Sequence, residues 1–428
     1  MRPPFPLITP RQSFGFGAVV LCAGFAAQVQ ASGFLEDTTA KIESRTVYFN
    51  RDFRDGHTSS DQGASKREES AQGFILNLQS GYTEGTVGFG IDALGMLGIK
   101  LDSSRDRRNT GLLPFGPNSH EPVDDYSELG LTGKVRVSKS TLRLGTLQPI
   151  LPVVVYNDTR LLASTFQGGL LTSQDLDGLT FNAGRLTKAN LRDSSGRDDI
   201  GYGAASSDHL DFGGGSYAIT PQTTVSYYYA KLQDIYRQQF VGLIDTRPLA
   251  EGVSLRSDLR YFDTREQGAD RLRSAARVDG GRIDNRFFNG MLTLGVGAHK
   301  FGLGYQNLSG DGDFAYPGLD PYSVNLVTVN VFTKAETDAW QARYDYNFAA
   351  LGVPGLTFMT RYISGDNVSR AAGGEGKEWE RNTELKYVVQ SGPLKNVAVR
   401  LRNATFRSNF ARDADEVRLL VSYSVALW

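Results

Sequence analysis

The stretch Glu384-Leu385-Lys386-Tyr387-Val388-Val389-Gln390-Ser391-Gly392-Pro393-Leu394-Lys395-Asn396-Val397-Ala398-Val399-Arg400-Leu401-Arg402 reads as two strands joined by a turn. Leu385, Tyr387 and Val389 recur at every second position, and the spacing returns after the turn in Val397, Val399 and Leu401. A period of two puts these side chains on one face of each strand and Lys386, Arg400 and Arg402 on the other. The pattern repeats upstream, where Val135 and Val137 alternate with Lys134 and Arg136. After Ser138-Lys139-Ser140, Leu142 and Leu144 flank Arg143. The final segment places Val417, Leu419, Val421, Tyr423, Val425 and Leu427 on one face and ends on Trp428, in the opposite phase.

Connections between such segments come in two sizes. Short ones include 138–140, 220–222, 352–355 and 392–396; long polar ones include 52–70, 102–126, 262–285, 307–320 and 365–381. Alternating strands of about 10 residues, joined by short turns at one end and long loops at the other, are the pattern of an outer-membrane barrel. A soluble sandwich or β-helix shares the alternation, and arginines on the second face suit solvent as well as a lumen. A last strand ending on an aromatic residue adds weight, because pairing it with the first strand removes the open edge. The fold class is therefore all-β, a transmembrane antiparallel β-barrel. At about 10 residues per strand plus connections, the length fits about fourteen to eighteen strands. Barrels at the upper end of that range enclose water. Residues 32–75 are too few for a folded plug.

Composition agrees by exclusion. Lys plus Arg is 46 and Asp plus Glu is 47, which argues against a nucleic-acid partner drawn by a bulk basic field. An aromatic share of 11% argues against wholesale disorder. Beyond the first thirty residues no run is apolar for the ~18 residues of a membrane helix.

The N-terminus has the order of a secretory signal peptide: basic Arg2 and Arg11, an apolar core from Phe14 to Ala27, then small Val29 and Ala31 flanking Gln30. Residues 1–31 are expected to be cleaved, leaving 32–428 as one barrel domain. A buried N-terminal helix is the alternative, but the strand-like sequence after Ser32 offers it no partner. Leu21 before Cys22 argues against a lipoprotein signal. Cleavage removes Cys22, the one cysteine, and a chain without cysteine suits an oxidising compartment.

Seven segments stand out: Leu144-Gly145-Thr146-Leu147-Gln148-Pro149, Val153 through Leu162, Thr165-Phe166-Gln167-Gly168, Arg361-Tyr362-Ile363-Ser364-Gly365-Asp366, Glu384 through Leu394, Arg400 through Thr405, and Arg418-Leu419 to Ser422-Tyr423. They resemble the OprD family of substrate-specific outer-membrane channels. The resemblance covers essentially the whole chain after residue 31. It implies an eighteen-stranded barrel, monomeric or loosely trimeric, embedded in outer-membrane lipids and narrowed by inward-folded constriction loops. It also implies passive passage of small carboxylate solutes, such as amino acids and aromatic or other organic acids. The family's basic ladder maps onto Arg160, Lys386, Arg400, Arg402 and Arg418. The resemblance also implies an acidic patch opposite the ladder, but Asn330 is followed by Val331-Phe332 where the family has Asp-Phe, so the acidic counterpart is in question at that point.

The residues bear on the ladder independently. A lipid-facing Arg or Lys near mid-bilayer costs ~2–4 kcal/mol, so Lys386, Arg400, Arg402 and Arg418 are expected to face the lumen. Folding back about 391–396 and 406–415 brings them onto adjacent strands at similar height. Confined like charges concentrate anions, and arginine's fork can hold a carboxylate and hand it on. The bland alternative is that these charges solvate the lumen or pair with Glu384 and Glu416. Arg160, with Asp158 and Thr159, lies in the long segment 148–180 and is expected in an inward-folded loop. Tyr322, Ser323 and Asn325 are expected across the eyelet from it. For both groups an exposed outer loop is the competing reading.

Enzyme chemistry finds little support. His57, His120 and His209 sit in polar, loop-like sequence, His299 stands apart, and no nucleophile–base pair is specified. No His-Glu-x-x-His occurs, Gly376-Lys377 lacks a phosphate loop's first glycine, and Asp311-Gly312-Asp313 has Tyr322 at the twelfth calcium-loop position. Gly295/Gly297 and Gly302/Gly304 follow strand spacing rather than a dinucleotide motif. No catalytic residue, metal or cofactor is expected. A general diffusion porin is the alternative to a selective one, and an adhesin or structural barrel is a third reading.

Overall fold

The computed structural model describes residues 32–54, 65–269, 282–318, 321–326, 328–370 and 373–427. The expected signal peptide and Trp428 lie outside the described residues.

Eighteen antiparallel strands form one closed sheet. The first six are β1 Thr39–Phe53, β2 Lys66–Gln79, β3 Val87–Asp102, β4 Asp125–Val137, β5 Ser140–Leu147 and β6 Thr165–Ser173. Next come β7 Leu179–Asn190, β8 Leu210–Ala218, β9 Thr223–Leu232, β10 Tyr236–Ala250, β11 Val253–Glu266 and β12 Asp284–Val296. The circuit ends with β13 His299–Asp311, β14 Asp338–Asn347, β15 Leu356–Val368, β16 Gly376–Val388, β17 Ala398–Ser408 and β18 Ala414–Ala426. Two short hairpins, Ile150–Leu151 with Val154–Val155 and Ile200–Tyr202 with Ala205–Ser207, stand outside this sheet. β18 pairs with β1 from Ala426 opposite Lys41 to Ala414 opposite Phe53, which closes the barrel.

The predicted alternation is borne out with the usual burial inverted. Leu129 is 69% exposed and Leu303 67%, the outer surface that acyl chains would cover. Lys134, Glu416 and Arg418 are buried inside at 7%, 1% and 8%. In β18, Val417, Leu419 and Tyr423 face outward as expected.

Several loop boundaries differ from the sequence reading. Strands such as β3, with 16 residues, exceed the ~9–11 that span a bilayer. Their polar outer ends continue the ladder above the membrane, so 369–375 is shorter than the predicted 365–381 loop. Conversely the loop after β13 runs over 312–337, well past the expected end at 320. The segment 148–180 is not one long loop: its second part is β6, and only 148–164 folds inward.

That inward fold is an apolar packing problem solved inside the lumen. Leu161, Leu162 and Ala163 from loop 148–164 and Leu112 and Leu113 from loop 103–124 pack on Val47, Phe49, Ala71 and Ile75 of the β1–β2 wall. Across the lumen, Val153, Val154, Phe314 and Ala315 pack on Phe240, Phe262 and Phe287 of β10–β12. The loops thereby narrow the bore from two sides.

Candidate functional site at the constriction

The ladder strands have a definite register. Lys386 stands opposite Arg400, and Glu384 opposite Arg402; Arg402 in turn stands opposite Arg418. The four cations therefore occupy three adjacent strands at two neighbouring heights, as the sequence predicted.

Loop 148–164 carries the fifth cation to them. Asn157 and Ser164 close its tip, with Asn157 N donating to Ser164 Oγ at 2.7 Å and Ser164 N donating to Asn157 O at 2.7 Å. Within the tip, Asn157 Oδ1 accepts from Thr159 N at 3.1 Å and from Arg192 Nη1 at 3.0 Å. Asp158 pairs with Arg45 of β1, and Arg160 Nε donates to Thr110 O at 2.9 Å. The tip thus reaches across the lumen to the β18–β1 wall. One cleft there is lined by Thr159, Arg160, Arg400, Arg402 and Arg418, with Val47 and Leu420 as its apolar floor.

Phe49, 1% exposed, organises the cations around it. The guanidinium carbons of Arg418, Arg160 and Arg51 lie 4.8, 5.2 and 5.6 Å from its ring centroid. A ring face attracts cations, so it lets three guanidinia crowd where water is scarce. Burial, and then the neighbouring Arg418 and Arg192, push the Arg160 guanidinium well below its ordinary pKa. Such a shift marks a cation taken out of water beside other cations.

Carboxylates answer part of this charge. Glu416 accepts from Arg418 and from Arg51, the latter at 2.6 Å. Glu384 accepts from Arg402 Nε at 2.9 Å. Arg400 Nε is 3.6 Å from Glu384, too far for a hydrogen bond, and that buried nitrogen has no hydrogen-bond partner. No ion pair is described for Lys386.

Arg418 differs from the other rungs. Its Nη2 donates to Thr328 O at 2.8 Å and its Nη1 to Thr159 O at 3.5 Å. One side chain therefore holds the tips of both inward loops. Loop 312–337 has a second anchor in Glu380 of β16. Its carboxylate accepts from the backbone N of Thr328, Val329 and Asn330 at 3.1, 3.0 and 2.8 Å. In this region the carboxylate comes from the wall, and the loop's Val331-Phe332 supplies none.

The residues expected across the eyelet sit in loop 312–337, against the β10–β14 wall. Asn325 has no exposed surface, and its Oδ1 accepts from Gln341 Nε2 at 2.6 Å. Ser323, 8% exposed, is 3.3 Å from Gln306 Oε1. Tyr322 lies under Arg260, whose guanidinium carbon is 4.0 Å from the ring centroid. These three fasten loop 312–337 to β10–β14 and line no part of the arginine cleft. Arg45, Phe49, Arg51, Arg192 and Glu380 were not singled out from sequence. In β1 the inward residues Val47 and Phe49 are apolar, so alternation gave no sign that Arg51 shares their face.

Comparison with known proteins gives one consistent result. The family model for outer membrane porins of the OprD family matches residues 32–427. Porin D of Pseudomonas aeruginosa is 37% identical over 429 residues, covering 94% of this chain and 93% of its own. The crystal structure of Pseudomonas aeruginosa OccK9 (OpdG) superimposes with a TM-score of 0.87 at 44% identity, covering 92% of this chain and all of that one. Pseudomonas aeruginosa OpdK, solved with vanillate, gives a TM-score of 0.85 at 38% identity with the same coverage.

Proposed function

Because the chain belongs to the OprD family, porins of the Gram-negative outer membrane, we propose that it is a selective diffusion channel for small carboxylate solutes. The single observation that carries this reading is the arginine cleft. Around it the described residues Arg45, Arg51, Arg160, Lys386, Arg400, Arg402 and Arg418 outnumber the carboxylates Glu43, Asp158, Glu380, Glu384 and Glu416. The excess sits where the tips of both inward loops meet Arg418, and walls of low dielectric there raise the local concentration of anions.

Arg400, whose side chain is 37% exposed, and Lys386, with no described ion pair, would meet a carboxylate first. Thr159 Oγ1 accepts from Arg192 Nη1 at 2.8 Å and stands at the cleft's lip as a further polar contact. Arg160 and Arg402 would then share the anion, since a guanidinium fork can take up one carboxylate oxygen as its neighbour releases the other. Transport requires such sites to be weak and several. Vanillate, named with OpdK, carries a carboxylate on an aromatic ring. Both the guanidinia and the Val47/Leu420 floor would suit a solute of that kind.

The test is liposome swelling with anionic, zwitterionic, neutral and cationic solutes of equal size. Arg400→Ala with Arg402→Ala is expected to lower carboxylate uptake about tenfold, the order of one lost hydrogen bond to a charged group, and to spare neutral sugars. An unchanged carboxylate preference would sink the proposal and favour a general porin.

A further inference from the structure

The outward surface at the outer end of β9–β11 carries cations that the pore does not use. Lys231 stands opposite Arg237, and Arg237 opposite Arg265, so three adjacent strands present one basic row. Their phase is that of the outer surface. Tyr229, Val241 and Tyr261 in the same phase are 38%, 53% and 40% exposed, whereas Leu232, Gln238 and Phe262 in the other phase are buried in the lumen. Arg265 is held by Asp263 and Asp284, and Lys231 stands opposite Asp211, whose two oxygens accept from Arg185; no ion pair or hydrogen bond is described for Lys231 or Arg237.

The row has a fixed height relative to the membrane. Tyr227, Val241, Tyr261 and Phe288 stand opposite one another across β9–β12, an aromatic row of the kind that marks the edge of the apolar band. Lys231 lies four residues beyond Tyr227, ~13 Å along the strand at ~3.3 Å per residue and so about 10 Å higher at a tilt of ~40°. That is headgroup depth. At the corresponding outer end of β13–β15 the outward residues are instead acidic, with Asp311 in β13 and Asp338 opposite Asp366 in β14–β15.

We infer that the β9–β11 row binds the phosphate groups of a lipid in the outer leaflet, whose chains lie against Tyr229, Val241 and Tyr261. A phosphate adds the charge that Arg237, and Lys231 with its carboxylate shared by Arg185, call for, and the aromatic row sets its acyl chains directly below. The acidic face of a second copy is the competing occupant, and the experiment separates the two.

The protein, purified in detergent, is titrated with bisphosphorylated lipid A and with the same lipid dephosphorylated, and bound lipid is counted by native mass spectrometry. The wild type is expected to prefer the phosphorylated form by about tenfold or more, as about two cations at a charged lipid surface would give. Lys231→Gln with Arg237→Gln should bind both forms alike, while the charge-keeping Lys231→Arg with Arg237→Lys retains the preference. Solute permeability should be unchanged in both, because these side chains lie outside the pore. A wild type without preference, or a Gln variant that keeps it, overturns the inference. So does a Gln variant that alters only the oligomer distribution, which would assign the row to contacts between copies.

Discussion

Arg418 carries two different burdens. Sequence spacing identified it as one of several equivalent lumen cations, yet it is 8% exposed and spends its donors on Glu416, Thr159 O and Thr328 O. Its removal should therefore show in stability as well as in transport. Breaking a buried pair from one side costs ~3–5 kcal/mol. Because Glu416 keeps Arg51, the lower end, about 3 kcal/mol, is expected for Arg418→Ala in equilibrium urea unfolding of the lipid-reconstituted protein. Single-channel conductance should rise in the same variant, since two loop tips lose their common anchor. An unaltered midpoint together with unaltered conductance would mean that the pin is not one. Arg418 also illustrates what spacing can convey about a residue. Alternation told which way its side chain points, because a charge in lipid is expensive. It could not tell what the side chain meets, because Thr159 and Thr328 are far away in sequence and arrive through loops.

Among the elements, loop 312–337 depends on β16 in a way its own sequence conceals. Three successive backbone N–H groups converge on the one carboxylate of Glu380, which also accepts from Asn382 Nδ2 at 2.6 Å. Hydrogen bonds to a charged group are worth ~1.5–3 kcal/mol each. Glu380→Gln keeps the shape but turns an acceptor into a donor against those N–H groups, and should free the loop at a cost of about 2–4 kcal/mol. The expected readouts are noisier single-channel current and faster protease cleavage within 312–337, with the barrel strands still protected. Intact current and intact protection would count against the anchor. Strands differed in how plainly they could be read. β4 and β18 were clear because one face is apolar and the other charged. β9 and β12, with Tyr227-Tyr228-Tyr229 and Phe287-Phe288, are apolar on both faces, because their inner face carries the packed loops. Alternation vanishes wherever the lumen is filled by protein rather than water.

For the whole molecule, inside and outside have exchanged their usual solvents. The outer face is stable only against hydrocarbon, and a single misplaced charge tests this directly. Leu303, 67% exposed and flanked across the strands by Leu292 and Ala342, faces that solvent. Leu303→Arg should cost ~2–4 kcal/mol in lipid vesicles, and much less in the same protein held in detergent micelles that let the side chain reach water. Equal losses in both media would contradict an outward-facing Leu303.

The pairing of β18 with β1 has a further consequence. Leu427 N donates to Ala40 O at 2.8 Å, so the two ends of the described wall meet at the rim that carries the short turns. Around that rim, the junction between β18 and β1 is one more neighbour contact among equals. The linear order of the sequence is thus a circle cut at one place. A chain cut instead at the two-residue turn 297–298, with its old ends bridged, would contain every strand pair and every rung of the basic wall. What it would change is only which strand must wait longest for its partner.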